Sequence, residues 1–343
     1  MKALVYTAPH ELVFRDEPDP VPAPGEALIA LASIGICGSD LHGYHGNDPR
    51  RVPPLILGHE ASGTVVEGWN RGQRVALNPL VTCGRCDDCI AGRSNLCPER
   101  QLIGMARPGA FAGLVSIPER NLIPLPDGMP FAHAALMEPA GVALHTVNLA
   151  AAGSHRPVAE CHALVLGGGP IGLLTALMLA SHGCRRIRLG ELNPLRRETA
   201  AATGCCGVYD PANDPGPDAN GFDLVVDAVG IDATRTVAVE AVRPGGVIVH
   251  VGLGQAVGPL DFRKLTLQEV TLVGCYTYSE LDLRRALGAL ASGALGPLDW
   301  IERRPLAEGA RAFADFDRGL AVKLILQPGT HAPDAPSADP KGW

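Results

Sequence analysis

The sequence predicts an α/β protein in two parts: a compact, barrel-like β unit and a doubly wound, six-stranded parallel sheet. Three observations predict it. From Met1 to about Val142 the chain runs as short apolar stretches broken by Pro and Gly, which is how small barrel strands read. Near Ala140 the pattern changes to strands alternating with helices, the order that builds a parallel sheet covered on both faces. Within that second part, Gly167-Gly168-Gly169-Pro170-Ile171-Gly172 stands between an apolar strand and an apolar helix.

The bulk properties narrow the function. A length of 343 residues suits two domains, and a net charge of −7 with scattered basic residues argues against nucleic acid or an anionic membrane as partner. No charged start leads into an apolar core, and no apolar run reaches roughly 18 residues, so neither a signal peptide nor a membrane span is expected. Ten cysteines are too few for a disulfide scaffold of this length, and four of them cluster at metal-ligand spacing. That usage suits a reducing cytoplasm.

In the first part, Met1–Thr7 reads as a strand, followed by Ala27–Ile34, Gly63–Val66, Gln73–Leu77, Gly113–Ile117 and Asn121–Leu125. Pro20–Gly25 and Val52–Leu55 read as loops. Gly35-Ile36-Cys37-Gly38-Ser39-Asp40-Leu41-His42 and Gly58-His59-Glu60 carry a thiol, an imidazole and a carboxylate separated by one short loop. Cys37, His59 and Glu60 can converge on one zinc ion, leaving a position for water or substrate. Farther on, Cys83, Cys86, Cys89 and Cys97 follow the spacing C-x2-C-x2-C-x7-C. Four thiolates on one lobe (about residues 80–100) close a tetrahedral zinc site with no position for substrate, so this site is structural. An iron–sulfur cluster takes the same donors, and spacing alone disfavours it only weakly.

In the second part, Ala163–Leu166 is the strand before the glycine turn, and a helix follows from about Leu173 to Ser181. Gly167 permits the tight turn, Gly169 lets a pyrophosphate approach the backbone, and Gly172 allows close helix–strand packing. The phosphates would sit at the positive end of that helix. The next strand, Arg186–Leu189, ends near Glu191, where an acid accepts from the adenosine ribose hydroxyls. A carboxylate there repels the 2′-phosphate of NADP and favours NAD, while Arg196 and Arg197 cut the other way. Asn193 as N-cap and Pro194 at the first helical position place both arginines on a helix. Phe222–Val226, Gly246–Val251 and Val270–Tyr276 read as strands four, five and six of the sheet, with a helix over about Ala233–Val242. Ligand should lie beyond the strand C-termini, which brings Val229, Val251, Gly252 and Leu253 towards the nicotinamide. Leu281–Leu290 reads as a helix and Ala321–Leu326 as a closing strand, both expected to rejoin the β part. The domain reading is therefore 1–142 with 288–343, interrupted by 143–287. Pro328–Trp343, rich in Pro, Ala and Asp, reads as flexible, with Trp343 able to dock on a neighbouring surface.

These motifs, in this order, resemble the zinc-dependent medium-chain dehydrogenase/reductases along nearly the whole chain. The branch most similar is sorbitol (polyol) dehydrogenase with its threonine and butanediol dehydrogenase relatives. Cys37–His42, the Glu60 that follows His59, and Met137-Glu138-Pro139-Ala140-Gly141-Val142-Ala143-Leu144-His145 carry that likeness. The resemblance implies a GroES-like β-barrel catalytic domain and a Rossmann NAD-binding domain. It implies that Cys37, His59 and Glu60 surround the catalytic zinc, with Glu138 as fourth ligand or as the group that holds water there. It places Glu191 and Arg196 beside the adenosine, with Ile171 at the pyrophosphate, and suggests a homodimer or homotetramer. Two departures stand out. Sorbitol dehydrogenases carry Phe-Arg-Tyr where this chain has Tyr276-Thr277-Tyr278, which puts D-sorbitol in doubt, and the loop between Val66 and Gln73 is shorter than usual.

The implied reaction is NAD-linked oxidation of a secondary alcohol or polyol, its alkoxide stabilised by zinc as Lewis acid. Ser39 and His42, three residues apart after Cys37, offer a relay for the hydroxyl proton; Ser39 also reads as an N-cap and His42 as a surface imidazole. His145, Tyr44 and His45 carry no assignment, and Phe111 reads as pocket lining or core. The rival readings are an NADPH-dependent carbonyl reductase, an L-threonine or amino-alcohol dehydrogenase, and a non-catalytic cofactor-binding protein. Intact Cys37, His59 and Glu60 argue against the last.

Overall fold

The chain divides into two compact units at Glu138/Pro139 and Trp300/Ile301 in a computed structural model that describes residues 1–329. Unit 1 holds Met1–Glu138, Ile301–Arg318 and the chain from Lys323; unit 2 holds Pro139–Trp300 and Gly319–Val322. The sequence placed these boundaries at 142/143 and 287/288. The helix Glu280–Ala291 was expected to rejoin the β part and instead belongs to unit 2. Its apolar face, Leu283, Ala286, Leu287 and Leu290, is buried, and Leu283 packs at Gly141. The expected docking of Trp343 lies outside the described residues. Among those residues no helix is long and apolar enough to cross a membrane.

Unit 1 is built around the strand Glu26–Gly35, whose residues alternate between half-buried and buried before becoming wholly buried. It pairs antiparallel with Glu60–Glu67, Leu114–Pro118 and Lys323–Gln327. Arg74–Leu77, Leu122–Pro124 and Ile301–Pro305 extend that sheet to seven strands. A second sheet joins Glu11–Asp16, Lys2–Ala8 and Leu55–Ile56. Glu11–Asp16 was not anticipated, because Glu11, Arg15 and Asp16 mask its weak apolar alternation. Leu55–Ile56 turns the end of an expected loop into a short strand. Phe111 is wholly buried, edge-on to Phe313 at 5.4 Å, so it belongs to the core.

Unit 2 carries the predicted parallel sheet, in the order Gly207–Tyr209, Arg186–Gly190, His162–Leu166, Phe222–Asp227, Val242–His250, Thr271–Gly274. The two central strands are mostly apolar because the sheet is covered on both faces; every residue of Phe222–Asp227 is buried, Asp223 and Asp227 included. The helix after the glycine turn begins at Pro170, earlier than apolar periodicity suggested, because proline's fixed φ suits the first helical position. Asn193 caps the helix Pro194–Ala202 through its side chain, as its position indicated. Ser279 and Asp282 cap Glu280–Ala291 reciprocally, and His145 and Asn148 also hydrogen-bond Asp282.

Candidate active site

Two groups of metal-ligating side chains bring their donor atoms within 4.8 Å of one another among the described residues: Cys37, His59 and Glu60, and the four cysteines 83, 86, 89 and 97. The first group is assembled by strand pairing. Glu60 opens its strand opposite Gly35, and Cys37 lies just beyond the end of Gly35's strand. Gly35 is obligatory, since a Cβ there would sit 1.9 Å from Glu60 Oε2. Cys37 is the N-cap of the helix Gly38–Tyr44, with Asp40 Oδ2 accepting from its backbone N–H at 3.1 Å. Ser39 is therefore not the N-cap.

Three buried charged residues that carried no assignment in the sequence surround these donors. Asp40 is fully buried, and its Oδ1 lies 3.4 Å from His59 Nδ1, a charge pairing without a hydrogen bond between the two atoms. Burial acts to keep His59 neutral, but the Asp40 carboxylate and the Cys37 thiol outweigh it and set its pKa well above the ordinary imidazole value. Burial likewise opposes ionisation of Asp40, yet His59 and Arg51 hold it below the usual carboxylate range. Arg51 pairs with Asp48 at 2.5 Å and reaches Ser39 Oγ at 3.4 Å. Lys323, wholly buried, donates to Ile36 O at 2.9 Å and forms an ion pair with Glu60 Oε2. Glu60 Oε1 is buried with no hydrogen-bond partner. An orphaned carboxylate oxygen beside a thiol and an imidazole is the donor set a zinc ion fits.

Ser39 Oγ is 3.5 Å from His59 Nε2. Neither of its recorded contacts is with His42, which is half-buried in the last turn of the same helix. Glu138 is buried in the first turn of the helix Met137–Gly153 and stands outside the set of mutually close donors.

The four-cysteine lobe lies between the paired strands Leu80–Val81 and Gln101–Leu102. Backbone N–H groups of Arg85 and Cys86 bring the Cys83 thiol down to about 6. The Cys89 N–H acts to lower Cys86, but burial and the neighbouring thiols push it up to about 12. Four thiolates cannot coexist there without a cation between them, which fits a closed metal site.

In unit 2, Gly167 has φ +95°, the left-handed conformation that favours glycine, and a Cβ on Gly172 would meet Gly167 O at 1.8 Å. A Cβ on Gly169 would point into open space at the N-terminus of the helix, a free cradle of the kind a pyrophosphate needs. Ile171 is half-buried beside it. Glu191 Oε2 accepts from Gly168 N and Oε1 from Asn193 N, both at 2.7 Å, fixing the carboxylate against the glycine turn. Arg197 is committed to the carbonyls of Glu191 and Leu192 and to Asp210. Arg196 Nε, by contrast, is buried with no hydrogen-bond partner. Asp227 accepts from Val229 N, Gly230 N and Thr234 Oγ1, ordering the loop after its strand. That loop touches the next one so closely that a Cβ on Gly252 would meet the Val229 carbonyl carbon at 2.2 Å. Val251 is half-buried and Leu253 is exposed.

Residues 23–127 match the alcohol dehydrogenase GroES-like domain, and residues 170–292 match the zinc-binding dehydrogenase domain. The chain is also 33% identical over 316 residues to the L-galactonate-5-dehydrogenase of Escherichia coli K12, covering 86% of this chain and 88% of that one. The protein belongs to the zinc-binding alcohol dehydrogenase family. Within that family it is 32% identical over 344 residues to the L-threonine 3-dehydrogenase of Chelativorans sp. BNC1, covering 95% and 98% of the two chains. A Sinorhizobium meliloti 1021 structure, described as a zinc-binding dehydrogenase bound to NADP, superposes with a TM-score of 0.85 at 30% identity, covering 95% of this chain and 99% of that one. The polyol and threonine dehydrogenase branch indicated by Cys37–His42, Glu60 and Met137–His145 is the branch these relatives occupy.

Proposed function

We propose that this family member is a zinc-dependent, NAD-linked dehydrogenase that oxidises a secondary alcohol or polyol to the ketone. The observation that carries the reading is the buried convergence of Cys37, His59 and Glu60, with Glu60 Oε1 lacking any protein partner. Bound there, zinc supplies a Lewis acid that favours the ionised alcohol, and NAD supplies the acceptor for the carbinol hydride.

The chain's own residues prepare that chemistry. Asp40 places a negative charge beside His59 Nδ1, and Lys323 occupies one oxygen of Glu60, leaving the other without a hydrogen-bond partner. Ser39 is the first acceptor we propose for the substrate proton, with Arg51 close enough to stabilise its oxygen and His42 as the exit towards water. Of the two roles implied for Glu138, its place outside the donor set favours orienting water over ligating metal. The four cysteines would hold a second, structural zinc.

For the dinucleotide we assign Gly167, Gly169, Ile171 and Gly172 to the pyrophosphate, Glu191 and Arg196 to the adenosine, and Val229, Val251, Gly252 and Leu253 to the nicotinamide end. The fixed Glu191 carboxylate supports NAD over NADP, because a 2′-phosphate would approach a charge that cannot swing away. We place the protein in the cytoplasm as a homodimer or homotetramer, pairing through the edge strand Thr271–Gly274, where Leu272 is exposed.

An activity screen with NAD and with NADP, over polyols, sugar acids, secondary alcohols and L-threonine, tests the reading. NAD reduction with at least one alcohol, abolished by a chelator and restored by zinc, is the expected result. Turnover that survives complete zinc removal, or that occurs only with NADP, would contradict it.

A further inference from the structure

We propose that Cys205 and Cys206 form a site of reversible thiol oxidation, with low-molecular-weight disulfides as the oxidant. The pair lies in unit 2, in the turn between the helix Pro194–Ala202 and the strand Gly207–Tyr209. Both side chains are half-buried and both thiols are free, on adjacent residues of the turn. Thr203 Oγ1, which donates to Ala200 O at 2.7 Å, lies 3.1 Å from Cys205 Sγ. Gly204, at φ +67°, precedes the pair and Gly207 follows it; a Cβ on Gly204 would meet nothing, and one on Gly207 only a carbonyl oxygen at 3.8 Å. The glycines on either side leave the turn uncrowded, and the partial exposure of both cysteines leaves them open to solvent.

The remaining cysteines are placed differently. Cys161 and Cys184 are buried, burial pushes the Cys275 thiol up to about 11, and the other five belong to the two donor clusters. The neighbouring Cys206 thiol brings Cys205 down to about 7, and Cys205 in turn, with burial, pushes Cys206 well above the ordinary thiol value. One thiol is thus a thiolate near neutrality and its neighbour is poised to resolve, the arrangement of a redox-responsive pair.

In the first step the Cys205 thiolate attacks one sulfur of the small disulfide. The reagent's S–S bond breaks, one small thiolate leaves, and it takes a proton from water. Cys206 then gives up its proton and attacks the Cys205 sulfur, breaking the mixed disulfide and releasing the second small thiol. Two protein thiols are oxidised and one small disulfide is reduced to two thiols. Adjacent Cα atoms lie ~3.8 Å apart, shorter than the ~4.4–6.8 Å of ordinary disulfides, so the ring is strained and readily reduced again.

Cleavage at Arg197 and Arg235 isolates both residues on a peptide with no other cysteine. The zinc-loaded full chain is treated with oxidised glutathione at pH 7, alkylated, digested with trypsin and analysed by mass spectrometry. The peptide Glu198–Arg235 should lose two hydrogens and both alkylation sites, and dithiothreitol should restore them. Cys206→Ser should stop at the glutathione adduct. Cys205→Ser should react at least about threefold more slowly, since a larger thiolate fraction outweighs the lower nucleophilicity of a thiol near pKa 7. A peptide that stays fully alkylatable, or a Cys205→Ser protein that reacts as fast as the parent, would overturn the site. A parent protein that accumulates the adduct with its second thiol free would overturn the resolving role of Cys206.

Discussion

The two metal-donor clusters of unit 1 are built on opposite plans. Cys83, Cys86, Cys89 and Cys97 come from one loop closed at its base by a pair of two-residue strands. Their support is local: backbone N–H groups, one another, and Arg100 donating to the Cys97 carbonyl. Cys37, His59 and Glu60 come from the ends of two paired strands and are fixed by Asp40 and by Lys323, the latter 263 residues from Glu60 in sequence. A local cluster needs turn chemistry alone. A cluster held by buried charges can exist only when the whole sheet is formed, and disturbing its support disturbs the fold as well.

That contrast can be broken in several places. His59→Ala removes a donor and should lower alcohol oxidation about a thousandfold or more, the kinetic equivalent of several kcal/mol of Lewis-acid stabilisation. Steady-state kinetics at saturating NAD measures it, and activity within about tenfold of the parent would remove His59 from the site. Lys323→Met should cost about 3–5 kcal/mol in urea unfolding of unit 1, because Glu60 keeps a buried charge without its partner. A double variant, Lys323→Met with Glu60→Gln, should recover a good part of that loss; no recovery would mean the pair is not coupled. Cys86→Ser should remove one zinc per chain and lower Tm, while the protein that remains folded keeps kcat within about twofold, as a closed structural site requires. If kcat fell in step with His59→Ala, the distinction between the clusters would be lost.

A control outside both clusters comes from acid titration. Burial acts to raise the Asp282 pKa, but His145 and Ser279 overcome it and hold it at about 2. A group depressed on folding stabilises above its unfolded pKa, near ~3.9, and that contribution is lost as pH falls through the folded value. Unit 2 should therefore lose on the order of 2 kcal/mol between about pH 4 and pH 2, and Asp282→Asn should flatten that part of the stability curve. An unchanged curve would mean that Asp282 has no such role.

What the sequence revealed follows the same division. The four-cysteine lobe, the glycine turn and the Asn193 cap are local, so spacing alone displays them. The parallel sheet of unit 2 was legible because its covered central strands are mostly apolar, although the edge strand Gly207–Tyr209, only three residues long, was not located. Lys323 was not read as part of the site, although a lone lysine in Ala-Val-Lys-Leu-Ile-Leu signals a buried charge that needs a counterion. Arg51, just before the Val52–Leu55 loop, drew no assignment; only the fold shows it buried between Asp48 and Ser39. The helix Glu280–Ala291 was given to the wrong unit because amphipathicity shows that a face is covered, not which element covers it.

Metal analysis of the purified protein beside Cys37→Ser, with alcohol oxidation measured on the same samples, is the direct test of the cluster at Cys37, His59 and Glu60. The parent should hold about two zinc ions per chain, four thiolates retaining one and the mixed donor set the other. The variant should hold about one and oxidise no alcohol at a measurable rate. A Cys37→Ser protein with both ions and undiminished turnover would contradict the assignment.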